Sequence, residues 1–568
     1  MDLISWTFDS DVDDKDRPLL CDTSDVSRSL SYNQLRSYVR RLVAGLQSIG
    51  IQQGDCICVN SFNDVFYSVL YLGIIGSGAV FTGVNPAYTT NELVHHFRLT
   101  QPKILIVEPQ LLSNTLAAAS EVGLHHSRIY AFDVATQNSE TSIQSWDVLL
   151  AHGERDWVTI NDANSTVAQY ASTSGTSGLP KAAMLPHSYH VTQAELRLTH
   201  GKLPYKARRL TALPPFHVFA TPIIPSSVRE GITTYVMRRF DMRGFVAAIE
   251  RFGISETFLP PPCIIGLPQT PYGTRESLVS LRQIWFGGAS LKYGNQLPMY
   301  ELLHPDAKIQ PVWGMTEAGW ITAGHWEEKH EDDSVGRYLS CFEVKIVDDD
   351  DNELKQEGST GNIMVRSPCM MLGYLANEAA TREAFDNNGW LRTGDIGYRV
   401  DGNKIFVVDR KKDMIKVRGW QVSPAEVENT IVQHPSVLDA AVVGIEREDK
   451  SEMSRAYVVL APGAELSIEE LKTFIGQTLA KYKIPEEFEF TDRIPKNATG
   501  KILRRLLREQ ATVEDTSPES PKESFCQPSE GRWRHIRRMS AGSIKTISLV
   551  SRTIRLFLSW LKSVLVIS

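Results

Sequence analysis

Hydrophobic and polar positions follow two rhythms along this chain, and the changes of rhythm divide it. Over 31–49, Leu35, Val39, Leu42, Val43 and Leu46 recur at helical spacing with Arg36, Arg40 and Arg41 between them. That pattern predicts an amphipathic helix, punctuated by Gly50 and Gly54. Ile57-Cys58-Val59 reads as a short buried strand, and Lys103–Glu108 as another. Residues 64–81 are almost wholly apolar, but Gly73, Gly76, Gly78, Tyr67 and Tyr71 interrupt the run. A membrane span needs about 20 apolar residues with few breaks, so a buried helix leading into a strand is expected.

The alternation of strand-like and helix-like runs predicts an α/β domain with a largely parallel sheet. A second α/β set is expected between 208 and 325, with strands near Arg209–Leu213, Thr233–Met237, Thr257–Leu259 and Gln283–Phe286. From 342 to 365 the pattern shortens to strands Glu343–Val347 and Gly361–Val365 around the acidic tract Asp348–Asp351. This reads as a small β subdomain whose acidic tract is a solvated turn. Residues 410–510 read as a smaller α+β domain, with strands at Ala440–Val443 and Tyr457–Leu460 and a helix from Ser467. The polar, Pro/Ser/Glu-rich stretch 512–530 predicts a disordered linker. The expected division is a large N-terminal domain over 1–410, a smaller domain over 411–510, a linker over 511–530 and a tail over 531–568.

The length of 568 residues exceeds what a single core supports and agrees with several domains. A formal net charge of −7 gives no electrostatic footing for nucleic acid. The 7 cysteines are scattered, odd in number and without a C-x-x-C pair, so neither a zinc site nor a disulfide framework is expected. That usage fits a reducing, intracellular and cytoplasmic setting. Met-Asp-Leu-Ile-Ser-Trp at the start has no basic, apolar signal character, and Val566-Ile567-Ser568 is not a peroxisomal address.

The richest chemistry lies at 170–183. Ser172, Thr173, Ser174, Thr176 and Ser177 supply hydroxyls, Gly175 and Gly178 permit tight turns, and Lys181 supplies a cation. Backbone N–H groups exposed by glycine, hydroxyl donors and a compact charge together suit a polyphosphate. The spacing is not that of the usual P-loop, because Ala182 stands where Ser or Thr follows the lysine.

Five further stretches join it: Pro214–Phe219, Phe286–Ser290, Trp313-Gly-Met-Thr-Glu317, Arg392–Asp395 with Asp409–Gln421, and Pro495–Lys501. In this order the set resembles the adenylate-forming superfamily, closest to acyl-CoA synthetases of the 4-coumarate–CoA ligase type, over about 30–510. The resemblance implies an α/β fold: a large N-terminal domain of layered α/β subdomains plus a small β subdomain, and a mobile smaller α+β C-terminal domain. It implies activation of a carboxylic acid with ATP and Mg2+ to an acyl-adenylate, then transfer to coenzyme A. Adenylation needs charge stabilisation and in-line placement rather than a general base, because a carboxylate is already a nucleophile.

By the same resemblance, Thr173, Ser174, Gly175, Thr176, Ser177, Gly178 and Lys181 embrace the β- and γ-phosphates. Glu317 holds Mg2+, and Thr316 bonds the α-phosphate. Trp313 stands where Tyr is usual and offers a flat face for adenine; Gly314 lies beside it in the same motif. Asp395 accepts from the ribose hydroxyls with Arg410 nearby. Gly287, Gly288 and Ala289 form a wall between adenine and acyl group. Lys501 is the catalytic lysine, His217 closes the acyl pocket, and Lys416 and Gln421 support the second half-reaction. Lys412 and Asp413 are the hinge. Gly419 lines the pantetheine tunnel, with Arg418 in place of a frequent Lys.

The acid is expected to be aryl or small to medium acyl, with Trp320-Ile321 where plant ligases carry Pro-Val. The setting expected from the overall resemblance is secondary metabolism. Alternative readings are loading of a separate carrier protein, a luciferase-like oxidation, and an inactive membrane-tethered nucleotide binder. A carrier protein or a downstream acyltransferase or synthase is the expected partner, beside the small acid. The tail 531–568 has eight Lys/Arg and no Asp or Glu, with Ile547, Val550, Ile554, Phe557, Leu558, Leu561 and Leu565 at helical spacing. Such a pattern suits peripheral contact with an anionic membrane.

Overall fold

The computed structural model describes residues 1–516 other than 133–142, 174–179, 201, 418–419, 448–451, 480 and 498–499. The described residues form two compact units, one of Met1–Lys412 with Gly500 and Lys501, the other running from Asp413 to Asn497 and resuming at Ile502.

In the first unit the predicted amphipathic helix spans Tyr32–Ser48. Ser31 caps it by accepting from the Gln34 N–H, while the Gln34 side chain accepts from Ser31. Its apolar stripe packs on the helix Tyr67–Gly76, every residue of which is buried. Enclosure by protein on all sides explains why this segment has no polar face. Gly73 lets the two helices approach: a Cβ there would lie 2.7 Å from Leu42.

Two sheets organise this unit. Among the described residues the first has seven strands, in the order Gln144–Ser145, Ile129–Ala131, Ile104–Val107, Cys56–Asn60, Val80–Gly83, Val167–Thr173, Lys181–Pro186. All neighbours are parallel except the last pair, a hairpin that pairs Thr173 with Lys181. The second sheet has thirteen strands and a parallel centre, where Glu256–Leu259, Gln283–Gly287 and Lys308–Met315 lie side by side. Its centre carries a buried ionic cluster: Glu256 accepts from Arg209 Nε at 2.9 Å and from Trp285 Nε1 at 2.9 Å, and also pairs with Arg197. Both arginines and the glutamate are fully enclosed, so each charge depends on the others.

Three features differ from expectation. The strands Glu343–Val347 and Gly361–Arg366, expected as a small β subdomain, are continuous with the large sheet. Leu391–Val400, Lys404–Arg410 and Arg337–Tyr338 connect them to Gly319–Ala323. The strands Pro18–Asp22 and Ser29–Ser31 complete the opposite edge without a sequence signal that stood out, being short. A helix over Arg504–Thr516 extends into the stretch expected to be a linker, since Leu507 and Ala511 face a buried cluster. The rest of the expected linker and the tail lie outside the described residues. The acidic tract is a turn, with Asp348 accepting from Asp350 N–H and Asn352 N–H, each at 2.9 Å, and Asp351 paired to Arg392.

The second unit is α+β. Val437–Glu446 and Glu452–Leu460 pair antiparallel along most of their length, the former at an edge of the sheet; Glu487–Phe490 pairs parallel to the latter, and helices Pro424–Ile431 and Ile468–Gly476 cover the sheet. Ser467 is the N-cap of the second helix, with Glu470 completing a capping box.

Candidate active site

The hairpin Val167–Thr173 and Lys181–Pro186 places the ends of the phosphate-binding run opposite each other. Ser174, Gly175, Thr176, Ser177 and Gly178, assigned to phosphate binding, lie outside the described residues. The stems are held by neighbouring histidines on the helix Thr90–Thr100: His95 Nε2 donates to the Pro180 carbonyl at 2.8 Å, and His96 Nδ1 lies 3.3 Å from Ser172 Oγ. Burial pushes the His96 imidazole down to about 4, so it is neutral and bridges Ser172 to Thr82, 3.1 Å from its Nε2. Both histidines went unnoticed in the sequence because their partners come from distant strands.

Trp313, Gly314, Thr316 and Glu317 occupy the end of the strand Lys308–Met315 and the turn into Gly319–Ala323. Tyr189 Oη donates to the Thr316 carbonyl at 3.2 Å, fixing the turn. Glu317 is buried, and its Oε1 accepts from Tyr374 Oη at 2.7 Å. Lys181 Nζ sits 4.3 Å from the centre of the same Tyr374 ring, so the phosphate-run lysine and the candidate metal carboxylate share one neighbour. Tyr374 carried no signal in the sequence that set it apart.

Trp313 Nε1 donates to Asp395 Oδ2 at 2.8 Å, and Arg410 Nε lies 3.3 Å from Asp395 Oδ1. Asp395 and Arg410 are direct neighbours across two antiparallel strands. Burial raises the Asp395 carboxyl above its ordinary range, opposed by Arg410, Trp313 and Lys501. Gly287 ends its strand and is followed by exposed Gly288 and Ala289.

His217 lies in the turn Pro214–Ala220, where its Nδ1 accepts from the Phe219 N–H at 3.3 Å. Burial and the nearby Lys501 charge push this imidazole down to about 4. Lys501 is counted with the first unit, and its charge acts on both His217 and Asp395. The division between the units falls between Lys412 and Asp413. In the second unit Lys416 and Gln421 are register partners in the backbone pairing of strands Ile415–Val417 and Trp420–Val422. Arg418 and Gly419 lie outside the described residues.

Trp320 is 4% exposed and points inward, against Phe219, Phe258 and Trp285 with ring centres 5.5, 6.5 and 6.1 Å away. Glu256 anchors Trp285 from behind, so this aromatic wall is backed by the ionic cluster.

The family model described as AMP-binding enzyme matches residues 9–375, and that of the AMP-binding enzyme C-terminal domain matches 426–501. The acyl-CoA ligase azaF of Aspergillus niger is 41% identical over 89% of this chain and 97% of its own length. The phenylacetyl-CoA ligase epaB of the same species is 41% identical over 90% of this chain and 96% of its own. Among solved structures, an ATP-bound RpMatB-BxBclM chimera superposes with a TM-score of 0.82 at 25% identity, covering 90% of this chain and 99% of the chimera. Two matched domains in the expected order, and relatives similar over nearly their whole length, give one conclusion: the chain belongs to the AMP-binding enzyme family, the adenylate-forming superfamily of acyl-CoA ligases.

Proposed function

We propose that this chain is an AMP-forming acid–CoA ligase that activates an aryl or small to medium acyl carboxylic acid. The observation that carries the reading is the pairing of Trp313, Asp395 and Arg410 in one unit with the Lys181–Tyr374–Glu317 contact. The first group suits a nucleoside and the second a polyphosphate. In the first half-reaction a substrate carboxylate oxygen attacks the α-phosphorus of ATP, forming the acyl-adenylate as the bond to pyrophosphate breaks. In the second, the thiol of coenzyme A attacks the acyl carbon, the thioester forms, and AMP leaves with the thiol proton lost to solvent.

Each residue's role follows from its chemistry. Lys181, Thr173 and the run 174–178 bind the β- and γ-phosphates. Thr316 bonds the α-phosphate, and Lys501 places its charge between that phosphate and the attacking carboxylate. Trp313 stacks on adenine, with Gly314 and Ala289 beside it, while Asp395 and Arg410 bind the ribose. Mg2+ is usually held by one or two carboxylates together with substrate phosphates. Glu317, a single buried carboxylate with one oxygen fixed by Tyr374, fits that pattern. The ion supplies charge neutralisation on the phosphates. His217 stays neutral at physiological pH and acts as a gate rather than a cation. Lys412 and Asp413 form the hinge, Lys416 and Gln421 serve thioester formation, and Gly419 and Arg418 border the coenzyme A path.

Inward-facing Trp320 shortens the acyl pocket, which favours a compact apolar acid; the similarity to a phenylacetyl-CoA ligase supports that class. Similarity to fungal acyl-CoA ligases supports a place in secondary metabolism. The described cysteines form no disulfide with one another, which suits a reducing cytoplasmic setting, and no helix among the described residues is long and apolar enough to cross a membrane. The basic, amphipathic sequence of 531–568 supports peripheral membrane contact as a second property of the chain. Co-sedimentation of the full chain with anionic vesicles, lost on adding salt, tests that contact.

The reaction is tested by pyrophosphate release from ATP across a panel of carboxylic acids, with and without coenzyme A. Release with a few acids, and thioester only with coenzyme A, is the expected result. Pyrophosphate release that ignores coenzyme A, with no thioester formed, would point to a carrier-protein acceptor, and silence across the panel would count against the reading.

A further inference from the structure

Lys181 and Glu317 belong to different sheets. Lys181 opens the last strand of the seven-stranded sheet, and Glu317 sits in a turn of the thirteen-stranded one. The segment Met371–Leu375 runs between them and is bonded to both. Met371 N–H donates to the Glu317 carbonyl at 2.8 Å. On the other side Leu372 N–H donates to Met184 at 2.9 Å, Leu375 N–H to Ala182 at 2.8 Å, and Met184 N–H to Gly373 at 2.9 Å. Gly373 has φ +140, and a Cβ there would come within 2.8 Å of Thr381, so the close passage requires glycine. Thr381 Oγ1 in turn accepts from the Tyr374 N–H at 2.9 Å.

From this fixed backbone Tyr374 directs two contacts. Its Oη donates to Glu317 Oε1 at 2.7 Å, and its ring face receives Lys181 Nζ at 4.3 Å. Tyr374 is buried, at 8% exposure. A hydroxyl bonded to one carboxylate oxygen sets the direction of the other, and a ring under an ammonium sets its position by cation–π attraction. We propose that Tyr374 is a positioning residue for the metal–nucleotide complex: its hydroxyl orients Glu317 toward the divalent cation, and its ring holds Lys181 for the triphosphate. The proposal rests on the adenylating reading above.

The two contacts are separable. Tyr374→Phe keeps the ring and removes the hydroxyl; Tyr374→Leu removes both. ATP binding to the full chain is measured by titration calorimetry, in EDTA and in excess Mg2+, for wild type and both variants, with thermal melts to verify folding. A hydrogen bond to a charged group is worth about 1.5–3 kcal/mol. Tyr374→Phe is therefore expected to keep the metal-free affinity and to lose about tenfold or more of the gain that Mg2+ brings. Tyr374→Leu is expected to lower the metal-free affinity as well, because Lys181 loses its platform.

A Tyr374→Phe variant with the wild-type Mg2+ gain overturns the proposal, as does one that loses both affinities by the same factor. A wild-type chain that binds no ATP under either condition overturns the adenylating reading itself, which separates the two failures. If the Phe variant melts at much lower temperature, a double-mutant cycle with Glu317→Gln decides. Additive losses in Mg2+-dependent affinity sink the idea, and strong non-additivity supports it.

Discussion

Trp313 and Asp395 share a hydrogen bond, indole Nε1 to Oδ2 at 2.8 Å, that leaves Oδ1 facing Arg410 at 3.3 Å. A tyrosine at 313 would offer its hydroxyl at a different distance and angle, so in the proposed nucleotide site it is the indole that links the face assigned to adenine to the carboxylate assigned to the ribose. Trp313→Phe keeps a flat aromatic face but drops the donor. The expected result is an ATP KM raised about tenfold, in line with about 1.5–3 kcal/mol for a bond to a charged acceptor. The preference for ATP over its 2′,3′-dideoxy analogue should shrink with it. An unchanged preference would show that the bond does not orient Asp395 for ribose.

Lys501 carries the adenylation charge in the proposed reaction. Lys501→Ala should lower the rate of pyrophosphate release by about 10²–10³, the usual cost of losing one preorganised electrostatic contact. Conversion of a supplied acyl-adenylate to thioester should be nearly unaffected. Equal loss in both half-reactions would assign the lysine a general structural role instead.

Trp320 closes an aromatic wall with Phe219, Phe258 and Trp285. Trp320→Leu keeps the site apolar while removing one ring system. Across a homologous series of aryl acids of growing chain length, kcat/KM should shift toward the longer members by about tenfold, within the 1–3 kcal/mol that a pocket of altered size discriminates. A length profile identical to wild type would mean that the acyl group never reaches this wall.

His96 gives the fold a dependence on acid. Its folded value of about 4 lies below the ordinary value of 6.5, chiefly because it is buried. Between these values the unfolded chain binds the proton and the folded chain does not, so stability falls as pH drops from 6.5 to about 4 and then levels off. One such group contributes at most about 3 kcal/mol, at 1.36 kcal/mol per pH unit. Urea unfolding of His96→Asn at pH 6.5 and at 5 should show a smaller loss over that interval than wild type. Parallel losses in both proteins would exclude His96 as a source. His217, also displaced to about 4, is neutral throughout the range where activity is measured, so no inflection near pH 6.5 is expected from it.

Much of this was legible in the sequence, and for a consistent reason. Helices with an apolar stripe, such as Tyr32–Ser48, and runs buried on all faces, such as Tyr67–Gly76, declare themselves through local periodicity. Residues such as Trp313, Glu317, Asp395 and Lys501 stand in short runs whose order is distinctive. Tyr374, His95 and His96 were invisible because their importance lies in partners contributed by other strands, which no local pattern encodes. The same holds for Arg197, Glu256 and Arg209: each reads as an ordinary charged residue until the sheet brings them together. The small β subdomain read correctly as strands but not as part of the large sheet, since the joining strand Arg337–Tyr338 is only two residues long.

The place of Pro18–Asp22 next to the sheet's edge has a consequence for biosynthesis. Its parallel partner is Thr234–Val236, with Leu20 opposite Thr234, so the strand made first must wait for one made more than two hundred residues later. At about 5–20 residues per second, that interval lasts on the order of ten to forty seconds on the ribosome. During it, Pro18–Asp22 has only Ser29–Ser31 beside it in the sheet, and the helix Leu3–Phe8 lacks its contacts with Ile223–Glu230. The amino-terminal layer of this unit therefore closes only once Thr234–Val236 has been made.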